Sequence, residues 1–161
     1  MTHPSEPVQT PITGREDQGG RDRPAEALAQ FYAAFNGRDL ALVEAVWETS
    51  AEAVMDNPVG GISRGWPEIR AVYERLFAGP IRVTVEFWDY TIVEEARVFA
   101  AIGRERGQLI PQDAGPLDVA FRTTRLFRRD AQGAWRLLHH HGSIEDPRLL
   151  QAYQDAVHGA R

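Results

Sequence analysis

Three consecutive histidines, His139-His140-His141, close the stretch from Thr124 to Ser143. That stretch reads as two strands joined by a turn at Asp130-Ala131-Gln132-Gly133. Side chains alternate faces along a strand, so His139 and His141 point one way and His140 the other. One face of such a hairpin lines a core or pocket, which sets at least one imidazole inside. On the partner strand, Arg125 brings a permanently charged, planar fork suited to a carboxylate or enolate. Arg125 and His140, with Asn57 able to both donate and accept, suggest a site for a small anionic or oxygen-rich molecule, with His140 shuttling a proton. Asp56 is the carboxylate that could act beside them, and Tyr32 and Trp47 are the candidate pocket walls. Two imidazoles at alternate strand positions can chelate a metal ion, but a third ligand is required and none is evident. No metal or other cofactor is therefore expected.

These residues must be positioned by the elements around them. Residues 1–23 carry almost no apolar content and are expected to form a disordered arm. Pro24 suits a helix start, and Leu28, Phe31, Tyr32 and Phe35 follow at helical spacing up to Asn36-Gly37. Asp39 can cap a second helix through Leu40, Val43, Val46 and Trp47. Short strands are expected within 51–56 and 59–64, around an Asn57-Pro58 break. Pro67 then opens a third helix with Ile69, Val72, Tyr73, Leu76 and Phe77 as its apolar stripe. Long strands follow over 81–93, 97–108, 117–129 and 135–145, and a C-terminal helix over 147–158. Helices followed by a long meander form an α+β pattern. The helices are expected to pack on one face of a curved antiparallel sheet and to leave a small-molecule pocket between the layers.

Composition narrows the function. The chain has 161 residues, enough for one sizeable core, with 43% hydrophobic and 25% charged residues. It contains no cysteine, which excludes disulfides and thiolate metal sites. All 18 basic residues are arginine, so lysine nucleophile and Schiff-base chemistry are impossible. The net charge of −5 argues against nucleic acid as a partner. No apolar run approaches the roughly 18 residues that span a bilayer, and the N-terminus lacks a signal-peptide core. A cytoplasmic location without membrane contact is the expectation.

Three segments carry a resemblance to a known superfamily: Tyr32-Ala33-Ala34-Phe35-Asn36-Gly37-Arg38-Asp39-Leu40, then Asp56-Asn57-Pro58-Val59-Gly60-Gly61 followed by Gly65 and Ile69, and finally Thr124-Arg125 with Trp135 and His139-His140-His141-Gly142-Ser143. Together they resemble the nuclear transport factor 2-like superfamily, which includes ketosteroid isomerases and SnoaL-like polyketide cyclases. The last segment is similar to the association domain of calcium/calmodulin-dependent protein kinase. The resemblance implies a cystatin-like cone over residues 24–145, with three N-terminal helices on the curved sheet and residues 146–161 as a helical extension. It also implies a homodimer, whose interface would use the outer sheet face carrying Trp135, His139 and His141. Placed on the isomerase pattern, Phe31 stands where its tyrosine belongs, Asn57 at the base position and Arg125 near the protonated aspartate. All three isomerase groups are changed, so steroid isomerisation by that mechanism is not expected. Two readings stay open: an acid/base isomerase, cyclase, dehydratase or hydrolase acting on a small carbonyl compound, with His140 and Asp56 catalytic and Arg125, Asn57, Tyr32 and Trp47 binding; or a non-catalytic dimeric binding or oligomerisation domain.

Overall fold

The computed structural model describes residues 6–17 and 19–158. The chain runs α1 (Pro24–Gly37), α2 (Leu40–Val46), β1 (Val54–Asp56), β2 (Ile62–Arg64), α3 (Trp66–Ala78), β3 (Arg82–Glu94), β4 (Val98–Ile110), β5 (Leu117–Arg129), β6 (Trp135–Ser143) and α4 (Pro147–His158). The six strands form one sheet in the order β2-β1-β6-β5-β4-β3. The expectation of a wholly antiparallel sheet needs one correction, because β1 runs parallel to β6. The chain reaches β6 only after α3 and three long strands, and it re-enters beside β1 in the same direction.

Local chemistry sets the helix ends. Asp39 caps α2 by accepting a hydrogen bond from the Leu42 amide at 2.9 Å. Arg38, at φ 54°, takes the left-handed position that ends α1. Its guanidinium then donates to the carbonyls of Leu76, Phe77 and Gly79 at the C-terminus of α3. A cation there favours the negative end of the helix dipole and ties the two helices together.

Two bulges re-aim side chains. In β3 the register shifts between Trp88 and Thr91, with Asp89 at φ 48°. Phe87 and Tyr90 both face the core as a result, and their rings stack. The second bulge lies between β5 and β6: Leu126 pairs with His139 but Phe127 pairs with Leu137, leaving Leu138 as the extra residue. Trp135, Leu137 and His140 are therefore all buried despite their mixed parity. This corrects the placement of Trp135 on the outer face. Its ring packs edge-on against Phe99, and its indole N–H donates to the Asp22 carbonyl at 3.1 Å.

The N-terminal segment also departs from the expectation of a disordered arm; residues 1–5 and 18 lie outside the described residues. Val8 and Tyr90 exchange both main-chain hydrogen bonds, as do Ile12 and Phe87. Ile12 is 5% exposed and belongs to the core. The segment needs little apolar content because it is held by main-chain pairing to β3, which otherwise ends the sheet as an unpaired edge.

Candidate functional site

The inner face of the sheet under α1 holds a buried polar network. β5 contributes Thr123 and Arg125, β4 Glu105, β6 His140, and α1 Phe31 and Tyr32; all are buried. Arg125 and His140 are register partners on neighbouring strands. The Arg125 guanidinium donates through Nη2 to Glu105 Oε1 at 2.5 Å, through Nε to the Tyr32 hydroxyl at 3.3 Å and through Nη1 to His140 Nδ1 at 2.9 Å. Glu105 is held further by the Tyr32 hydroxyl at 2.7 Å and by Thr123 Oγ1 at 2.9 Å. The Phe31 ring lies 3.7 Å from the guanidinium carbon, close enough for a cation–π contact. Each buried charge thus meets its counter-charge and several hydrogen bonds, the condition under which such a pair is tolerated.

Proton positions follow from donor and acceptor capacity. A guanidinium has no acceptor, so His140 Nδ1 must accept with its lone pair and the imidazole proton resides on Nε2. The electrostatics agree. Burial, then the Arg125 charge, then the neighbouring histidines hold the His140 pKa well below its ordinary value. Burial opposes the charge on Arg125, but Tyr32, Glu105 and Tyr73 more than offset it and raise its pKa. Burial chiefly pushes the Tyr32 hydroxyl well above its ordinary value, so it stays protonated.

Beyond the guanidinium, two further donors have no acceptor among the described residues. No hydrogen bond from a described residue reaches His140 Nε2. A Cβ placed on Gly142 would stand 3.3 Å from that nitrogen and 2.8 Å from Pro58 Cγ, so the absence of a side chain at Gly142 keeps space between His140 and the β1–β2 turn. The Tyr73 hydroxyl accepts from Trp47 Nε1 at 3.2 Å, and its own proton has no acceptor among the described residues. Burial raises the Tyr73 pKa to about 12, which keeps that proton in place.

Of the residues singled out from the sequence, Tyr32, Arg125 and His140 come together directly, and Trp47 is linked to them through Tyr73. Asp56 does not join them. Met55 pairs with His140, so Asp56 faces the opposite side of the sheet, where its carboxylate lies 3.2 Å from His141 Nδ1. Asn57 turns its side chain onto its own loop, Oδ1 accepting from the Val59 amide at 3.2 Å. The proton-shuttle role for His140 also needs revision, because its basic nitrogen is occupied by Arg125. Glu105, Thr123 and Tyr73 were missed. Glu105 was detectable: Phe99, Ala101, Gly103, Glu105, Gly107 and Leu109 form one alternating face of β4, and a lone acid on an otherwise apolar, glycine-rich face calls for a buried cation.

Two clefts are described. One, of about 840 Å³, opens among residues 13–15, the end of α1 and the ends of β3, β4 and β5. The other, of about 450 Å³, lies by the start of α4 and includes Trp88, Arg104, Glu105, Phe121 and Leu149. Neither is lined by Arg125 or His140. On α4, Tyr153 packs edge-on against Phe121, and its pKa of about 12 reflects burial first and the Glu105 charge second.

Several solved structures share this architecture. A candidate calcium/calmodulin-dependent protein kinase type II association domain from Thiobacillus denitrificans is 27% identical, with a TM-score of 0.61 over 76% of this chain and 95% of that one. A ketosteroid isomerase-like protein from Erwinia carotovora is 21% identical, with a TM-score of 0.64 over 75% and 92%. A candidate dehydratase of the nuclear transport factor 2-like family from Streptomyces avermitilis is 19% identical, with a TM-score of 0.61 over 73% and 90%. No curated protein matches the sequence. The family model of the SnoaL-like domain matches residues 25–147, from α1 to the first residue of α4, and the chain belongs to that family, within the nuclear transport factor 2-like superfamily.

Proposed function

We propose that the protein binds a small, acceptor-rich molecule, a carboxylate or carbonyl compound, inside the cone. The observation that carries this reading is the His140 Nε2–H, a donor with no partner among the described residues on a residue 8% exposed, backed by a fixed positive charge. Tyr73 supplies a second unspent donor whose hydroxyl feels the Arg125 charge. Donors without matching acceptors suit a ligand that brings oxygen lone pairs. Binding rather than proton shuttling is favoured, since Glu105 is held by three donors and His140 Nδ1 is engaged. If a reaction is catalysed, His140 acts as a neutral hydrogen-bond donor that polarises a carbonyl.

A panel of small carboxylic and keto acids tested by thermal unfolding checks this. At least one compound should raise the melting temperature of the wild type and lose that effect in His140→Phe. If no such compound stabilises the protein, or if His140→Phe responds equally, the reading fails.

A dimeric association domain is the second reading. It is favoured by the exposed Ile62, Val93 and Ile102 on the strands. Light scattering should give twice the chain mass at micromolar concentration, and a monomer there would exclude it. Among the described residues, no helix is long and apolar enough to cross a membrane.

A further inference from the structure

The face of the sheet opposite the buried network carries a second constellation, independent of the ligand reading. Strand β1 pairs in parallel with β6, setting Val54 beside His139 and Asp56 beside His141. Residues two apart on a strand share a face, so Asp56, His139 and His141 all project outward while Met55 and His140 project inward. One ligand atom from each of the three lies within 4.8 Å of the others. The third ligand that the sequence did not reveal comes from a strand about 83 residues away in the chain, brought adjacent only by the parallel pairing.

The imidazoles are oriented for coordination. His139 Nδ1 lies 3.0 Å from the Val54 carbonyl, which can only accept, so the proton sits on Nδ1 and the Nε2 lone pair is free. A ligating histidine is ordinarily fixed by this kind of bond from its other nitrogen to a backbone carbonyl. His141 Nδ1 lies 3.2 Å from Asp56 Oδ2, which likewise favours a free Nε2 on the second ring. Asp56 is partly buried and the His141 side chain is 53% exposed, so one ligand is anchored and another can swing. The ring centres are 6.5 Å apart. Metal–nitrogen bonds of roughly 2.0–2.1 Å in a tetrahedral site place ring centres roughly 5 Å apart, so a modest swing of the exposed His141 completes the geometry.

We propose that Asp56, His139 and His141 form a binding site for a divalent first-row transition-metal ion. Two neutral imidazoles and one carboxylate suit Zn²⁺, Ni²⁺ or Cu²⁺ rather than Mg²⁺ or Ca²⁺, which prefer all-oxygen shells. Three protein ligands leave further positions for water or an external group. The position at the β1–β6 end of the face, with β5 between it and β4, separates it from the apolar Val93 and Ile102, whereas Ile62, the register partner of Asp56, adjoins it.

Calorimetric titration of Zn²⁺ into tag-free, chelator-stripped, desalted full-length protein tests the site. The expected result is one Zn²⁺ per chain with a micromolar or tighter dissociation constant, no heat from Mg²⁺, and visible d–d absorption when Co²⁺ replaces Zn²⁺. Asp56→Asn, and His139→Gln with His141→Gln together, should each weaken binding about tenfold or more. The double variant keeps His3, His140 and His158, which controls for adventitious chelation. Absence of stoichiometric Zn²⁺ binding by the wild type overturns the proposal even where a variant misfolds, and so does equal affinity in the folded double variant.

Discussion

The guanidinium of Arg125 donates to Nδ1 of His140, its register partner across the β5–β6 ladder. A protonated His140 would turn a second donor on that guanidinium and place two cations side by side in the core. The imidazole therefore titrates far more readily in the unfolded chain than in the folded one.

That difference makes stability depend on pH. The His140 pKa is depressed on folding, whereas an unfolded histidine titrates near about 6.5. The stabilisation is complete above the unfolded pKa and is lost as pH falls below it toward the folded value. The slope reaches up to ~1.4 kcal/mol per pH unit. Urea denaturation between about pH 7 and about pH 5.5 should show this loss, and His140→Gln should flatten it. An equal slope in both proteins would show that His140 titrates normally.

The ion pair beneath it is a structural commitment. The Arg125 and Glu105 side chains are 2% and 6% exposed. Glu105→Gln or Arg125→Met leaves one charge buried alone and should cost about 3–5 kcal/mol. The double replacement Arg125→Met with Glu105→Leu should recover much of that loss, since well-packed apolar groups often replace a buried pair. Urea unfolding measures all three. Single substitutions costing less than about 1 kcal/mol would mean that water reaches the pair.

Tyr32 bridges both charges through one hydroxyl. Tyr32→Phe keeps the ring, which stacks on Phe87, and removes only the bridge. A loss of about 1.5–3 kcal/mol is expected for hydrogen bonds to charged groups. A neutral effect in the same assay would place the Glu105–Arg125 contact alone in charge of the network.

Helix periodicity and strand alternation made most of the fold legible, because the stripe of Leu28, Phe31, Tyr32 and Phe35 and the alternation of Val83, Val85 and Phe87 are local patterns. The shared face of Arg125 and His140 followed from the resemblance, through the pocket-facing parity of the last strand, because counting from the hairpin turn alone would set Arg125 opposite His139. Trp135 was misread because the bulged Leu138 changes parity within β6, and the sequence carries no glycine or proline there to mark it. Glu105 was overlooked between Arg104 and Arg106, which look like one solvated charge run until β4 separates their faces. Asp56 was assigned to the wrong side because its neighbour is set by a parallel pairing distant in sequence, which no local pattern encodes.

The N-terminal strap was illegible for a different reason: its attachment is main-chain pairing, hydrogen bonds from Gln9 to Asp89 and from Asn36 to the Thr13 carbonyl, and one buried apolar side chain, Ile12. Ile12→Ala should therefore cost about 2–5 kcal/mol, as for other buried isoleucines. Hydrogen exchange should show faster exchange at the amides of Phe87 and Tyr90, which now donate to Ile12 and Val8. Unchanged protection at both amides would mean that the strap is dispensable to β3.

Leu138 has a further consequence. Without this bulge, with Leu138 in a regular ladder place, the parity of Trp135 and Leu137 would continue to His139 and His141, turning two imidazoles into the apolar interior and leaving His140 in water. With it, three identical side chains in a row acquire distinct chemical identities: the middle one a sheltered N–H, its neighbours a pair of outward lone pairs. Deleting Leu138 would remove the bulge and leave Arg125 opposite His140, so the partition of the two surfaces depends on where the ladder slips rather than on residue type.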